Sequence, residues 1–114
     1  MPIKILICDD SLTVCKVLEQ MLMDYETDVA MSGLEAMEIL EDHNIVFLDQ
    51  NLGGVKGSDV ARIIKSVRNC ITIGISGDKY NGNAFDYFIQ KPLTIKNVYK
   101  ALGYAEQSIR LGRY

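Results

Sequence analysis

Residues 45–49 read Ile45-Val46-Phe47-Leu48-Asp49, four consecutive apolar side chains, three of them strongly β-prone, closed by one carboxylate. A run this short, with no polar residue alternating through it, is a strand covered on both faces, as in the interior of a parallel sheet. Toward the N-terminus, Ile3, Ile5 and Ile7 with Leu6 form a second run of the same kind, which ends in Asp9-Asp10. Between the two, Val14, Val17, Leu18, Met21 and Leu22 recur at helical spacing and predict an amphipathic helix over residues 11–24. Residues 27–30 form a weaker strand. Ser32-Gly33-Leu34-Glu35 then matches a capping box, opening a helix to about residue 41 with Leu34, Met37 and Leu40 as its buried face.

The same alternation continues toward the C-terminus. Gly53, Gly54 and Gly57 loosen the loop after Asp49. Ser58 or Asp59 caps a helix to residue 67, with Val60, Ile63, Ile64 and Val67 facing inward. Residues 70–75 predict a fourth strand and residues 85–89 a fifth. Pro92 and Thr94 open a last helix whose Val98, Leu102 and Ala105 face the sheet. Strands separated by helical segments need crossovers, so the class is α/β, a five-stranded parallel sheet with helices on both faces.

Composition narrows the function classes. The 114 residues suit one domain, residues 1–114, and 48% hydrophobic content supports a continuous core. Fifteen acids against twelve Lys and Arg give a net charge of −3, so no basic face serves direct nucleic-acid binding. No apolar run approaches a membrane span, and acids follow too soon after Met1 for a signal peptide. The expectation is a cytoplasmic protein. Cys8, Cys15 and Cys70 lack metal-ligand spacing and read as reduced core thiols. His43 is the only histidine and reads as structural.

In an open parallel sheet, ligands bind beyond the C-terminal strand ends, where strand order reverses. Here the first strand ends in Asp9-Asp10, the third in Asp49, the fourth in Ser76 and the fifth in Gln90-Lys91-Pro92. Each residue has an ordinary reading as helix start, turn or loop boundary. Those readings leave the repetition at successive strand ends unexplained. Three gathered carboxylates repel one another unless a cation compensates, and oxygen-only ligands point to Mg²⁺. A lysine and a small hydroxyl beside such a site suit a transferring phosphoryl group, with Asp49 as its acceptor.

Asp9-Asp10-Ser11, Leu48-Asp49-Gln50-Asn51-Leu52 with Gly57, Ser76-Gly77 and Lys91-Pro92 resemble the receiver domain of response regulators, the CheY-like family. The match runs from Ile3 to about Ile109. The resemblance implies a flavodoxin-like doubly wound sheet of order 2-1-3-4-5. It also implies phosphorylation of Asp49 by a histidine kinase or histidine phosphotransfer protein in a two-component phosphorelay. Asp10, Asp49 and the backbone carbonyl of Asn51 would ligate Mg²⁺, with Asp9 acting through water. Lys91, joined to Pro92 by a cis peptide, would pair with the phosphoryl oxygens. Ser76 would move to hydrogen-bond one of them while Phe88 turns inward as the aromatic switch. Asn51 and Asp78 occupy positions that tune the hydrolysing water. The downstream target would be a protein whose binding is switched, a second copy of the chain included. Beyond its own phosphorylation and dephosphorylation, no enzyme activity is expected.

Three positions depart from the family pattern. Gly53 stands where proline is usual, which predicts a more flexible loop, and Gly77 stands where alanine is usual. From Ser76 to Lys91 there are only 15 positions, about two helical turns too few for a strand, a fourth helix and a fifth strand. The fourth helix should therefore be short or missing. Two alternatives compete with a phosphoaccepting receiver. One is a degenerate receiver acting as an interaction module without phosphorylation. The other is a haloacid dehalogenase-type phosphatase, which combines the same groups but resembles D-x-D on the first strand, where this chain has Asp49-Gln50-Asn51 on the third. A flavin binder fits poorly, since the first strand–helix loop has no glycine or hydroxyl cluster for a phosphate.

Overall fold

The computed structural model describes residues 2–112. Five parallel strands make the central sheet: β1 (Lys4–Cys8), β2 (Glu26–Ala30), β3 (Ile45–Asp49), β6 (Ile71–Ser76) and β7 (Tyr87–Gln90). A two-stranded antiparallel hairpin, β4 (Asn51–Leu52) and β5 (Val55–Lys56), follows β3. The helices are α1 (Leu12–Met21), α2 (Gly33–Ile39), α3 (Gly57–Val67) and α4 (Ile95–Arg110). The sheet order is β2-β1-β3-β6-β7, which is the expected 2-1-3-4-5 once the hairpin is set aside. None of these helices is long and apolar enough to cross a membrane.

Strand period explains the layering. Ile5, Ile7, Ile45, Phe47, Ile71, Ile73 and Ile75 point to one face, where Cys15, Leu18 and Leu22 of the first helical segment and Val98, Leu102 and Ala105 of α4 cover them. Leu6, Cys8, Val46 and Leu48 point to the other, under Ala36 of α2 and Val60, Ala61 and Ile64 of α3. All three cysteines are buried and unbridged. Burial pushes the Cys8 thiol up to about 12 and Cys15 up to about 11, so both remain protonated, unreactive core groups. His43 is buried, with Nδ1 accepting from the Glu41 N–H and Nε2 2.8 Å from an Asp28 carboxylate oxygen. Those partners put its proton on Nε2 and make it a structural tie between the start of β3 and β2.

The helical faces differ from the periodicity in several places. Leu34 is 74% exposed, and the buried residues of α2 are Gly33 and Ala36. A Cβ on Gly33 would stand 2.7 Å from Val60 Cγ2, so α2 lies against α3 on its smallest side chains and turns Leu34 outward. Glu35 accepts from the Met31 N–H, one residue before the expected capping-box partner, and the helix ends at Ile39. In α3, Ile63 and Val67 are exposed while Gly57, Val60, Ala61 and Ile64 form the buried stripe. Neither Ser58 nor Asp59 caps that helix; Lys56 holds the cap position without a side-chain bond. Val17 of α1 is likewise exposed.

The glycines after Asp49 make a tight turn where a loosened loop was expected. Gly53 and Gly54 have φ of 60° and 92° between the paired β4 and β5. Two successive positive φ values are what a type I′ two-residue hairpin requires. Proline, held near −65°, cannot occupy the first of them, so Gly53 follows from the turn itself.

No helix lies between β6 and β7, and residues 77–86 run as bends and irregular chain. The sheet beneath is shaped for this. Thr72, Gly74 and Ser76 alternate with the three buried isoleucines and leave a shallow surface. The Phe85 ring fills it, lying where a Cβ on Gly74 would come within 2.4 Å of the ring. Tyr80 packs edge-on against Phe85 at 5.1 Å and tilted against Phe88 at 5.3 Å, and its hydroxyl accepts from the Ala84 N–H. Asp86 ties the far end down, accepting from the Thr72 N–H at 2.8 Å and pairing with Lys65. An aromatic cluster and one carboxylate therefore replace the helix as cover for β6.

Candidate functional site

Strand order reverses between β1 and β3, so the segments that leave these strands diverge and open a crevice at their C-terminal ends. Asp9 and Asp10 follow β1 there, and Asp49 is the last residue of β3. One carboxylate oxygen from each lies within 4.8 Å of the others. Ser76 closes β6, and Lys91 follows β7, held in register by its N–H bonding to the Ser76 carbonyl at 2.7 Å. Lys91 Nζ stands 3.7 Å from Asp49 Oδ2. The Lys91–Pro92 peptide is cis.

The carboxylates are not equivalent. Asp10 is exposed, whereas Asp9 and Asp49 are buried. Asp9 Oδ1 accepts from the Ser11 N–H at 2.8 Å, as the chain turns into α1 with Ser11 as its N-cap. Asp9 Oδ2 is buried with no hydrogen-bond partner, a costly position for an anionic oxygen. Burial first, then the charges of Asp49 and Asp10, push the Asp9 carboxyl up to about 6, against the Ser11 N–H and the Lys91 ammonium. Asp49 Oδ1 accepts from the Asn51 N–H at 3.3 Å, and its other oxygen faces Lys91.

An orphaned buried oxygen among three carboxylates, with no imidazole or thiolate in the set, fits a hard, oxygen-seeking divalent cation. The cost of the cluster without one sets a prediction. Because the folded-state pKa of Asp9 lies above its ordinary 3.8, this carboxyl stabilises the fold below that pH and loses the contribution as pH rises through about 6. In chelator at pH 7.5, Asp9→Asn should therefore melt higher than the wild type, by about 2 kcal/mol or roughly 5 °C or more. The gap should narrow at pH 5. Thermal melts at the two pH values check it, and an Asn variant that melts lower at pH 7.5 counts against the buried-anion account.

Ser76 is 3% exposed, and its Oγ accepts from the Asp78 N–H at 3.1 Å, which leaves the hydroxyl proton free to be donated. Phe88 is half-buried in the aromatic cluster, 6.3 Å from Phe85 and tilted against Tyr80. Asn51 is exposed at the start of β4. The residues expected from sequence thus converge: three carboxylates, one ammonium and one hydroxyl at four neighbouring strand ends. Three other residues escaped the sequence reading. Tyr80 and Phe85 were signalled only by four aromatics within nine residues that begin in a glycine- and asparagine-rich loop. Gln50 carried no signal, because its partner Ser58 is eight residues away.

This sheet order has parallels among solved structures. The signal receiver domain of an HD domain-containing protein from Pseudomonas fluorescens Pf-5 superposes with a TM-score of 0.87 at 21% identity, covering 98% of this chain and 92% of its own. A CheY-like receiver domain from Methylobacillus flagellatus gives 0.84 at 21% identity, covering 92% and 99%. The response regulator TrrA from Thermotoga maritima, solved in complex with Mg²⁺ and BeF, gives 0.83 at 23% identity, covering 90% and 98%. At these identities the likeness speaks for the fold alone. No curated protein matches the chain. The family model for the response regulator receiver domain matches residues 5–103, a span that contains every strand end described above. The chain therefore belongs to the response regulator receiver domains of two-component systems, as a member whose fourth helix is replaced by an aromatic loop.

Proposed function

We propose that this receiver takes a phosphoryl group onto Asp49 from the phosphohistidine of a histidine kinase or phosphotransfer protein, and that the modification switches binding of a protein partner. The observation that carries this reading is the meeting of Asp9, Asp10 and Asp49 within 4.8 Å, with Lys91 Nζ 3.7 Å from Asp49 Oδ2. A carboxylate oxygen of Asp49 attacks phosphorus, the P–N bond to the donor imidazole breaks, and the departing ring nitrogen takes up a proton. No general base is required, because the nucleophile is already an anion.

Asp10, Asp49 and the Asn51 carbonyl would hold Mg²⁺, with Asp9 acting through water. Bound there, Mg²⁺ supplies positive charge to offset the carboxylates and the phosphoryl oxygens. The complex of TrrA with Mg²⁺ and BeF supports carrying this cation over. Lys91 would pair with a second phosphoryl oxygen, and the Ser76 hydroxyl would donate to a third. Drawing Ser76 toward the phosphoryl group pulls on Asp78, its bonded neighbour, at the start of the loop that carries Tyr80. The switch is a shift of population toward the arrangement that the phosphoryl group binds better. Apart from this self-modification and its hydrolysis, the chain turns over no substrate.

Intact-mass spectrometry with acetyl phosphate tests the reading. One adduct per chain is expected with Mg²⁺ and none with chelator. An unmodified chain at saturating donor and Mg²⁺ would favour the phosphorylation-independent interaction module. Steady turnover of unrelated phosphomonoesters would favour the phosphatase.

A further inference from the structure

Gln50 lies between Asp49 and Asn51 and makes four hydrogen bonds. Its N–H donates to the Ile75 carbonyl at 2.8 Å, tying it to β6, and its carbonyl accepts from the Gly57 N–H at 2.8 Å. Its side chain makes the other two, with Oε1 accepting from the Ser58 N–H at 2.7 Å and Nε2 donating to Ser58 Oγ at 3.2 Å. The first turn of any helix has N–H groups without internal partners, usually satisfied by the residue just before it. In α3 that residue is Lys56, which offers no side-chain acceptor. Gln50 supplies acceptors for two of these groups, the N–H of Gly57 and of Ser58, from across the hairpin, so the start of α3 and the peptide after Asp49 form one bonded unit.

The consequence concerns the candidate metal ligands. Asp49 and Asn51 flank Gln50, and the hairpin that continues from Asn51 turns on two glycines with positive φ. A hairpin with only two residues in each strand makes few bonds of its own, and its position depends on how its base is anchored. Ser58 is 5% exposed and Gln50 half-buried, so this anchor is partly shielded from water. We propose that the Gln50–Ser58 clamp sets the Mg²⁺ affinity of the receiver by positioning Asp49 and the Asn51 carbonyl, with Gln50 touching neither metal nor phosphoryl group. Gln50 is thus a positioning residue. The inference rests on the Mg²⁺–Asp49 reading above and adds to it the element that holds the ligands in place.

Magnesium titration by calorimetry on the full chain tests it, at a temperature where circular dichroism shows each variant folded. Gln50→Met keeps the side-chain length, removes both bonds to Ser58, and should weaken Mg²⁺ binding about tenfold, as loss of ligand-orienting partners does elsewhere. The amides of Gly57 and Ser58 should also exchange faster in the metal-free protein. A double variant with Ser58→Ala should bind no more weakly than Gln50→Met alone, because the serine hydroxyl has already lost its partner. A residue that served only stability would lower the melting temperature and leave the affinity of the folded protein unchanged; that result overturns the proposal. Should Gln50→Met fail to fold, Ser58→Ala alone carries the test, with about threefold weakening expected from one lost hydrogen bond. Unchanged affinity there overturns it as well. A wild type that binds no Mg²⁺ overturns the metal reading, and the clamp with it. Binding by the wild type that Asp49→Asn weakens and Gln50→Met does not overturns the clamp alone.

Discussion

Asp49→Asn should show no phosphoryl adduct under conditions that modify the wild type stoichiometrically. The substitution conserves shape, so the Asn51 N–H keeps its acceptor, 3.3 Å away in the wild type, and β3 keeps its end. What changes is charge and nucleophilicity. A neutral amide oxygen has its electron pair delocalised and does not attack phosphorus at a useful rate. The same change removes the partner of Lys91 at 3.7 Å and takes one anion from the group that raises the Asp9 pKa. Mg²⁺ binding should weaken as the donor set falls from three carboxylates to two. Intact-mass spectrometry of both proteins, run side by side with acetyl phosphate, decides it. An adduct on the variant at the wild-type level would place the acceptor elsewhere.

Gly57→Ala should cost about 3–5 kcal/mol of stability, the range reserved for changes with no room to relax. A Cβ at position 57 would lie 2.1 Å from the carbonyl oxygen of Asp49, 2.8 Å from its carbonyl carbon and 3.0 Å from Gln50 Cα. All three are backbone atoms at the end of a central strand, which cannot rotate aside as a side chain can. The first turn of α3 would have to retreat, breaking the 2.8 Å bond from the Gly57 N–H to the Gln50 carbonyl and loosening the Ser58 bonds behind it. In a chain of this size the melting temperature should fall by at least about 10 °C. Gly103→Ala is the control. Gly103 is exposed in the middle of α4 with nothing within 4 Å of its Cβ position, so alanine should gain about 0.5–1 kcal/mol there. If chemical denaturation finds the two variants equally stable, the close approach at Gly57 is wrong.

The site was largely legible because its chemistry is written at strand ends, and strand ends are easy to find. Ile45 to Leu48 and Ile5 to Ile7 admit only buried strands, which places Asp9, Asp10 and Asp49 together once the sheet is parallel. The missing helix was legible from spacing set against the family pattern, since chain length between Ser76 and Lys91 is a hard geometric limit. Helical faces were less legible. In α2 and α3 the apolar residues extend around more of the helix than one neighbour can cover. Gly33 against Val60, and Gly57 against Asp49, decide which part of that surface turns inward. A pattern that counts apolar side chains gives a glycine no weight, although its missing side chain sets how closely the helix approaches.

Sequence alone determined the order along the chain of the five sheet strands and their helices and the polar group at each strand end, because these depend on local period; the absence of one helix followed from chain length set against the family pattern. The tertiary structure decided the rest. It placed Tyr80, Phe85 and Asp86 as cover for Thr72 and Gly74, and joined Gln50 to Ser58. These arrangements depend on contacts between segments whose separation in space is set only when the sheet closes. No local signal along the chain encodes that distance.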